Sequence, residues 1–148
     1  MKLKRITVLL ALILALILAL TLSAAQAADY MDGYARTVVG EVNRERAARG
    51  LGALRLDAEL TRAAQVRAQE IARKFSHTRP DGSAWRTVSS AAYGENIARG
   101  QRIADKVMAA WMSSDGHRRN ILRASYGSIG VACLKIGGVF YWVQLFGR

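Results

Sequence analysis

Apolar positions recur at helical spacing through the first two thirds of the chain and turn to strict alternation near its end. From Asp32 to Arg49, Tyr34, Val38, Val42 and Ala47 share one face and Gly50 supplies a stop, so the spacing predicts a first helix. Asp57 stands where an N-cap belongs, with Glu59 in the first turn complementing the helix dipole. The second helix then runs to about Lys74, with Leu56, Leu60, Ala63, Ala64, Ala68, Ile71 and Phe75 as its inward stripe. A third, from about Ile103 to Ser113, gathers Ile103, Val107, Ala110 and Trp111 on one face, and a short fourth starts at His117 and ends near Leu122. From Ser128 the period becomes two. Ser128 to Ile136 and Val139 to Phe146 flank Gly137-Gly138, which tolerates the positive φ of a type I′ turn. Pairing across that turn sets Ala132 and Leu134 beside Val143 and Tyr141, and Val131 and Cys133 with Phe140 and Trp142 on the opposite face. Both faces are apolar and both need cover, so the expected architecture is a three-layer α/β/α sandwich with a C-terminal β-hairpin in its central sheet.

The N-terminus changes the setting. Lys2, Lys4 and Arg5 precede an unbroken apolar stretch from Ile6 to Leu22, and Ala25-Gln26-Ala27 supplies the small-x-small pattern of a signal-peptidase cut. Residues 1–27 read as a signal peptide, with an uncleaved membrane anchor as the alternative because the stretch exceeds the usual length of about 7 to 15 residues. The only cysteine, Cys133, lies far from the cut, which excludes a lipoprotein anchor and any internal disulfide. Residues 28–148 remain as a single domain, secreted to a periplasmic or extracellular place, that must be stable through its core alone.

The formal net charge is +11. Removing residues 1–27 takes three of the 22 Lys and Arg and none of the 11 Asp and Glu, leaving +8. Outside a membrane such a charge favours an anionic envelope component as partner, with contact at the membrane surface. No nucleic-acid motif is present, and the arginines at 44, 46, 49, 62, 67 and 73 are scattered along helices, as a solvated surface would have them. The protein is expected to act as a monomer.

Candidate chemistry rests on two histidines. His77 and His117 each sit in a polar, glycine-marked break between helical runs, and Glu95 lies in a third such segment, Tyr93 to Ala98, read as a loop. Imidazoles are ready zinc donors, and a carboxylate beside them can take a proton or complete a site. In the first turn of a helix His117 would resist protonation and keep a lone pair for metal. Equally, the histidines, Glu95 and Asn96 could serve only as hydrogen-bonded loop supports. Trp85, Trp111 and Trp142 read as packing residues, Trp85 being the one that follows a turn.

Val42-Asn43-Arg44-Glu45-Arg46, the Leu54 to Ala64 run, Phe75-Ser76-His77-Thr78, Gly94-Glu95-Asn96-Ile97-Ala98, Trp111 with Gly116-His117-Arg118-Arg119-Asn120-Ile121-Leu122, and Ile129-Gly130-Val131 with Tyr141-Trp142-Val143-Gln144 occur in that order. As an ordered set they resemble the bacterial branch of the CAP superfamily, which takes in cysteine-rich secretory proteins, antigen 5 and pathogenesis-related 1 proteins and is also called the SCP domain. The resemblance implies an α/β/α sandwich with a cleft lined by two histidines and two acids, the histidines able to hold a divalent cation such as zinc. His77 and His117 match the histidines and Glu95 one acid; the position of the second acid falls on Ser114, a departure from the pattern. The implied cleft is then His77, Glu95, Asn96, Ser114 and His117, with His77 and His117 as metal donors.

Two functions follow as expectations. One is a secreted binding module that holds a lipid, glycan or envelope polymer, as some relatives bind lipids. The other is a metal-assisted hydrolase of cell-wall or protein substrates, with Glu95 as its catalytic base. The missing second acid and the absence of His-Glu-x-x-His and Gly-x-Ser-x-Gly motifs weigh toward binding.

Overall fold

The computed structural model describes residues 29–148; the expected signal peptide lies outside them. In chain order the elements are β1 (Asp29–Tyr30), α1 (Asp32–Ala47), β2 (Arg55–Leu56), α2 (Ala58–Arg73), a 3₁₀ turn (Trp85–Val88), β3 (Gly94–Arg99), α3 (Ala104–Ser113), α4 (Asp115–Ile121), β4 (Ser128–Ile136) and β5 (Val139–Gly147). The strands form one mixed sheet in the order β1-β4-β5-β3, with β2 pairing parallel to β4 and the other pairs antiparallel.

The β4–β5 hairpin is the spine of the sheet, and its register is the one the alternation predicts: Ala132 faces Val143, Cys133 faces Trp142 and Leu134 faces Tyr141. Gly137 and Gly138 turn the chain at φ of 55° and 79°, the left-handed pair that a type I′ turn requires. One sheet face, with Ile97, Ala132, Leu134, Val143 and Leu145, packs under Leu60, Ala64, Ala68 and Ile71 of α2. The other, with Val131, Cys133, Phe140, Trp142 and Phe146, packs under Val38 and Val42 of α1, Val107 and Trp111 of α3 and Ile121 of α4. The three layers are therefore present. Asp57 caps α2 as expected, its Oδ1 accepting from the amides of Glu59 and Leu60 at 3.0 Å each.

Four expectations are corrected. The Tyr93 to Ala98 segment is not a loop: from Gly94 it forms the edge strand β3, paired with β5 from Gly94–Phe146 to Arg99–Tyr141, because its polar residues are buried and satisfied. The fourth helix begins at Asp115, so His117 stands inside its first turn. Leu56, Phe75, Ile103, Ala47 and Ala110 are exposed: Leu56 belongs to β2, Phe75 and Ile103 lie just outside α2 and α3, Ala47 ends α1, and Ala110 stands off the buried stripe of Ala104, Val107, Met108 and Trp111. Finally, Arg46 and Arg67 are not surface arginines. They are 1% and 0% exposed.

Arg46 does its work through carbonyls. From α1 it donates to Gly52 O (2.8 Å), to Ile121 O and Arg123 O (2.9 Å each) and to Tyr126 O (3.3 Å), tying the loop after α1 and the exit of α4 to one guanidinium. Burial lowers its basicity below the ordinary arginine value.

Close approach of α2 to β4 depends on Gly130, where a Cβ would fall on the backbone of Leu60 and Thr61. Gly130→Ala is expected to destabilise the fold by about 1–3 kcal/mol through forced separation of the two layers. A urea titration followed by tryptophan fluorescence measures this. An unchanged midpoint would mean that α2 does not seat on β4 as described.

Candidate functional site

Strand β3 brings Glu95 to the α2 face of the sheet, and α2 presents Arg67 to it. Arg67 is at the i+3 position from Ala64 and i−4 from Ile71, in the middle of the inward stripe, so the helix carries its guanidinium into the core. There Arg67 Nε donates to Glu95 Oε2 at 2.6 Å and Nη2 donates to Oε1 at 3.3 Å, with both side chains 0% exposed. The outer nitrogens of the fork reach further acceptors: Nη1 donates to Glu70 Oε2 at 2.5 Å and Nη2 to Ser76 O at 2.8 Å. Burial alone would lower the Arg67 pKa, but the hydrogen bonds and charges of Glu95 and Glu70 override it and hold the pKa above the ordinary value.

The His77 loop is built on this network. Ser76 is fixed by Arg67, and Arg79, two residues after His77, forks onto Glu70 through Nη2 (2.7 Å) and Nε (3.0 Å). Glu70 thus lies between two guanidiniums. Burial would raise its carboxyl pKa, yet hydrogen bonds from Arg79 and Arg67 hold it below the usual range. A bridge between Thr78 and Ala84, and Trp85 N–H donating to His77 O at 3.1 Å, close the Pro80-Asp81-Gly82 turn that the sequence indicates.

His77 itself is half-exposed, and its Nδ1 lies 2.7 Å from Glu95 Oε1. A carboxylate on Nδ1 fixes the ring orientation and directs Nε2 outward. Glu95 therefore has three contacts on two oxygens: both atoms face Arg67 and one also faces His77.

On the other side of β3, Asn96 faces α4. Asn96 Nδ2 donates to His117 O (3.1 Å) and to Gln144 Oε1 (2.9 Å), while Asn120 Nδ2 donates to Asn96 Oδ1 (2.9 Å) and Glu95 O (3.2 Å). Asn96 is fully buried and acts as the pin between strand and helix. His117, half-buried on α4, has its pKa lowered by burial and, secondarily, by the charge of His77. Ser114 ends α3 and precedes α4; its hydroxyl makes no capping bond, and its carbonyl accepts from Arg118 N–H at 2.8 Å. Among the described residues no group of three or more His, Cys, Asp or Glu is placed to hold a metal ion. The donors present are two imidazoles, with Glu95 behind one of them.

The structure thus joins His77 to Glu95, ties the His117 carbonyl to Asn96, the next residue of the same strand, and leaves Ser114 at the helix junction. Arg67, Glu70, Arg79, Asn120 and Gln144 were not singled out from the sequence. For Arg67 a signal exists: a charged residue on an otherwise apolar stripe.

Comparison with known proteins places this geometry. The cysteine-rich secretory protein family (CAP) model matches residues 39–146. The uncharacterised protein YkwD of Bacillus subtilis (strain 168) is 35% identical over 132 residues, covering 84% of this chain and 51% of its own. The chain therefore spans about half the length of that curated relative. An extracellular SCP-domain protein from Bacillus anthracis str. Ames superposes with a TM-score of 0.70 at 24% identity, over 79% of this chain and 41% of that one. An outer surface protein of Borrelia burgdorferi gives 0.68 at 20% identity, over 82% and 98%. At these identities the structural likeness speaks for the fold, whose α/β/α layers the chain shares. With a family match over most of its described residues, the chain belongs to the bacterial branch of the cysteine-rich secretory protein (CAP) family.

Proposed function

We propose that the protein is a secreted binding module whose cleft holds a divalent cation such as zinc between His77 and His117, and an anionic envelope component, lipid or glycan beside it. The observation that carries binding over hydrolysis is the state of Glu95. A general base needs a carboxylate free to accept a proton from water, and here both oxygens of Glu95 are engaged by Arg67, with His77 on one of them. Its remaining role is to orient. With Nδ1 on Glu95, His77 would offer Nε2 to a cation, and His117, disfavoured as imidazolium, would offer the lone pair of its unprotonated ring nitrogen. The chemistry of this donor set suits zinc, with solvent or ligand filling the rest of the shell. A bound cation would supply an anchoring positive charge for a phosphate, carboxylate or hydroxyl.

Secretion fits the extracellular and outer-surface descriptions of the Bacillus anthracis and Borrelia burgdorferi proteins. No helix among the described residues is long and apolar enough to cross a membrane.

Calorimetric titration with zinc is expected to show one dominant site, abolished by His77→Ala or His117→Ala, with the double variant hardly worse than either. Glu95→Gln should weaken it by roughly 10- to 100-fold as an outer partner. No zinc heat above the variants' background would remove the cation from the account, and turnover of a wall or protein substrate that Glu95→Gln abolishes would overturn the binding reading.

His117 also gives a pH prediction without metal. Its folded-state pKa lies below that of the unfolded chain, so the unfolded state binds the extra proton and stability falls with acidity below about 6.5. The stability is full above that pH and is lost as pH falls through the lower folded value. His117→Gln should flatten this part of the profile in urea melts taken from pH 8 to 5. An unaltered slope would show that His117 is as easily protonated in the fold as in solution.

A further inference from the structure

A separate cavity of about 440 Å³ opens beside residues 85–93, and neither His77 nor His117 lines it. Its walls are set by backbone bonds. Trp85 N–H is held on His77 O (3.1 Å), while Tyr93 N–H donates to Phe146 O (2.8 Å) and Tyr93 O accepts from the Tyr126 hydroxyl (2.9 Å). The size is that of an ordinary small-ligand pocket.

The lining is mixed in a specific way. Trp85 is half-buried against the α2 side of the core, but Tyr93 is 50% exposed. The Arg148 guanidinium stands 4.6 Å from the Tyr93 ring centroid. Arg86 and Ser90 line the same cavity and are exposed, and Thr87 contributes a hydroxyl already positioned by Arg79 Nη1 at 3.2 Å. Ser89, also in the wall, gives its hydroxyl to Glu59 at 2.5 Å, and no carboxylate lines the cavity. An acyl chain would find too little aliphatic surface here. A sugar ring has what these walls offer to: C–H groups for an aromatic face, hydroxyls for serine and threonine, and, where it bears a carboxylate, a partner for guanidinium.

We propose that this cavity is a subsite for an acidic saccharide, its ring against Tyr93 and its carboxylate toward Arg86 and Arg148. It goes beyond the cleft of the preceding section: it is a second ligand site, and it does not depend on the cation.

N-acetylmuramic acid and N-acetylglucosamine share a ring and an acetamido group and differ by a lactyl carboxylate, so they form a matched pair of probes. Each is titrated into the protein while the Trp85 and Tyr93 side-chain resonances are followed by NMR. The acid is expected to shift both and to bind about tenfold more tightly than the neutral sugar. Tyr93→Ala should weaken the acid by about tenfold and Tyr93→Phe should not, since the ring and not the hydroxyl is used. Arg86→Gln should reduce the preference for the acid, while His77→Ala should leave both titrations unchanged and abolish zinc binding. Equal affinity for the two sugars, no shift with either, or a response of Trp85 and Tyr93 to anionic phospholipid vesicles instead of sugar would overturn the proposal. Loss of sugar binding in His77→Ala would overturn the separateness of the subsite.

Discussion

Everything near the candidate cleft depends on one buried ion pair. Arg67 and Glu95 are both fully removed from solvent, and neither charge would be tolerable there alone, because moving an unpaired ion into such a place costs several kcal/mol. The cost is met by saturation. Arg67 uses three nitrogens on four acceptors from α2, β3 and the chain between them, so a single side chain sets the distance between helix and strand and the path of the His77 loop. Glu70 extends the network outward to Arg79 and so to the far side of that loop. The half-exposed imidazole of His77 is the solvent-facing end of a buried, hydrogen-bonded assembly.

In the proposed reading, this construction suits orienting an imidazole more than proton transfer at Glu95. Glu95, where the resemblance implies an acid, already accepts from Arg67 on both oxygens with His77 on one of them, and the residue at the place implied for a second acid is Ser114. On the opposite side of β3 the same strategy recurs with neutral groups. Asn96, Asn120 and Gln144 satisfy one another and lock the backbone of His117 to the strand that carries Glu95. Two adjacent residues of one edge strand, pointing to opposite faces, thus fix the two histidines.

Much of this was legible in the sequence, for physical reasons that differ by element. The hairpin was readable to its register because two glycines fix the turn and period-two burial fixes the faces. The helices were readable from their stripes, and Asp57 from capping chemistry. Strand β3 was not, because Gly94, Glu95 and Asn96 look like turn residues until their partners on α2, α4 and β5 are known, and those partners lie 21 to 48 residues away. The two buried arginines were hidden by the same logic. Arg46 follows Val42 by four and Arg67 follows Ala64 by three, so each occupies a core position of its helix, but residue type argued for the surface. The nearness of the histidines could be inferred only from the resemblance, since spacing along a chain does not encode convergence. The Ile6 to Leu22 stretch lies outside the described residues.

A double-mutant cycle on Arg67 and Glu95 measures whether the two buried charges are coupled. Arg67→Met, Glu95→Gln and the combined variant are compared with the parent by urea unfolding. Each single change is expected to cost about 3–5 kcal/mol by stranding the other charge, and the double variant little more than one of them, giving a coupling energy of several kcal/mol. Single costs below about 1 kcal/mol that simply add would match a solvent-screened pair. That result would contradict the account, because Glu95 would then be free of Arg67 and available for chemistry.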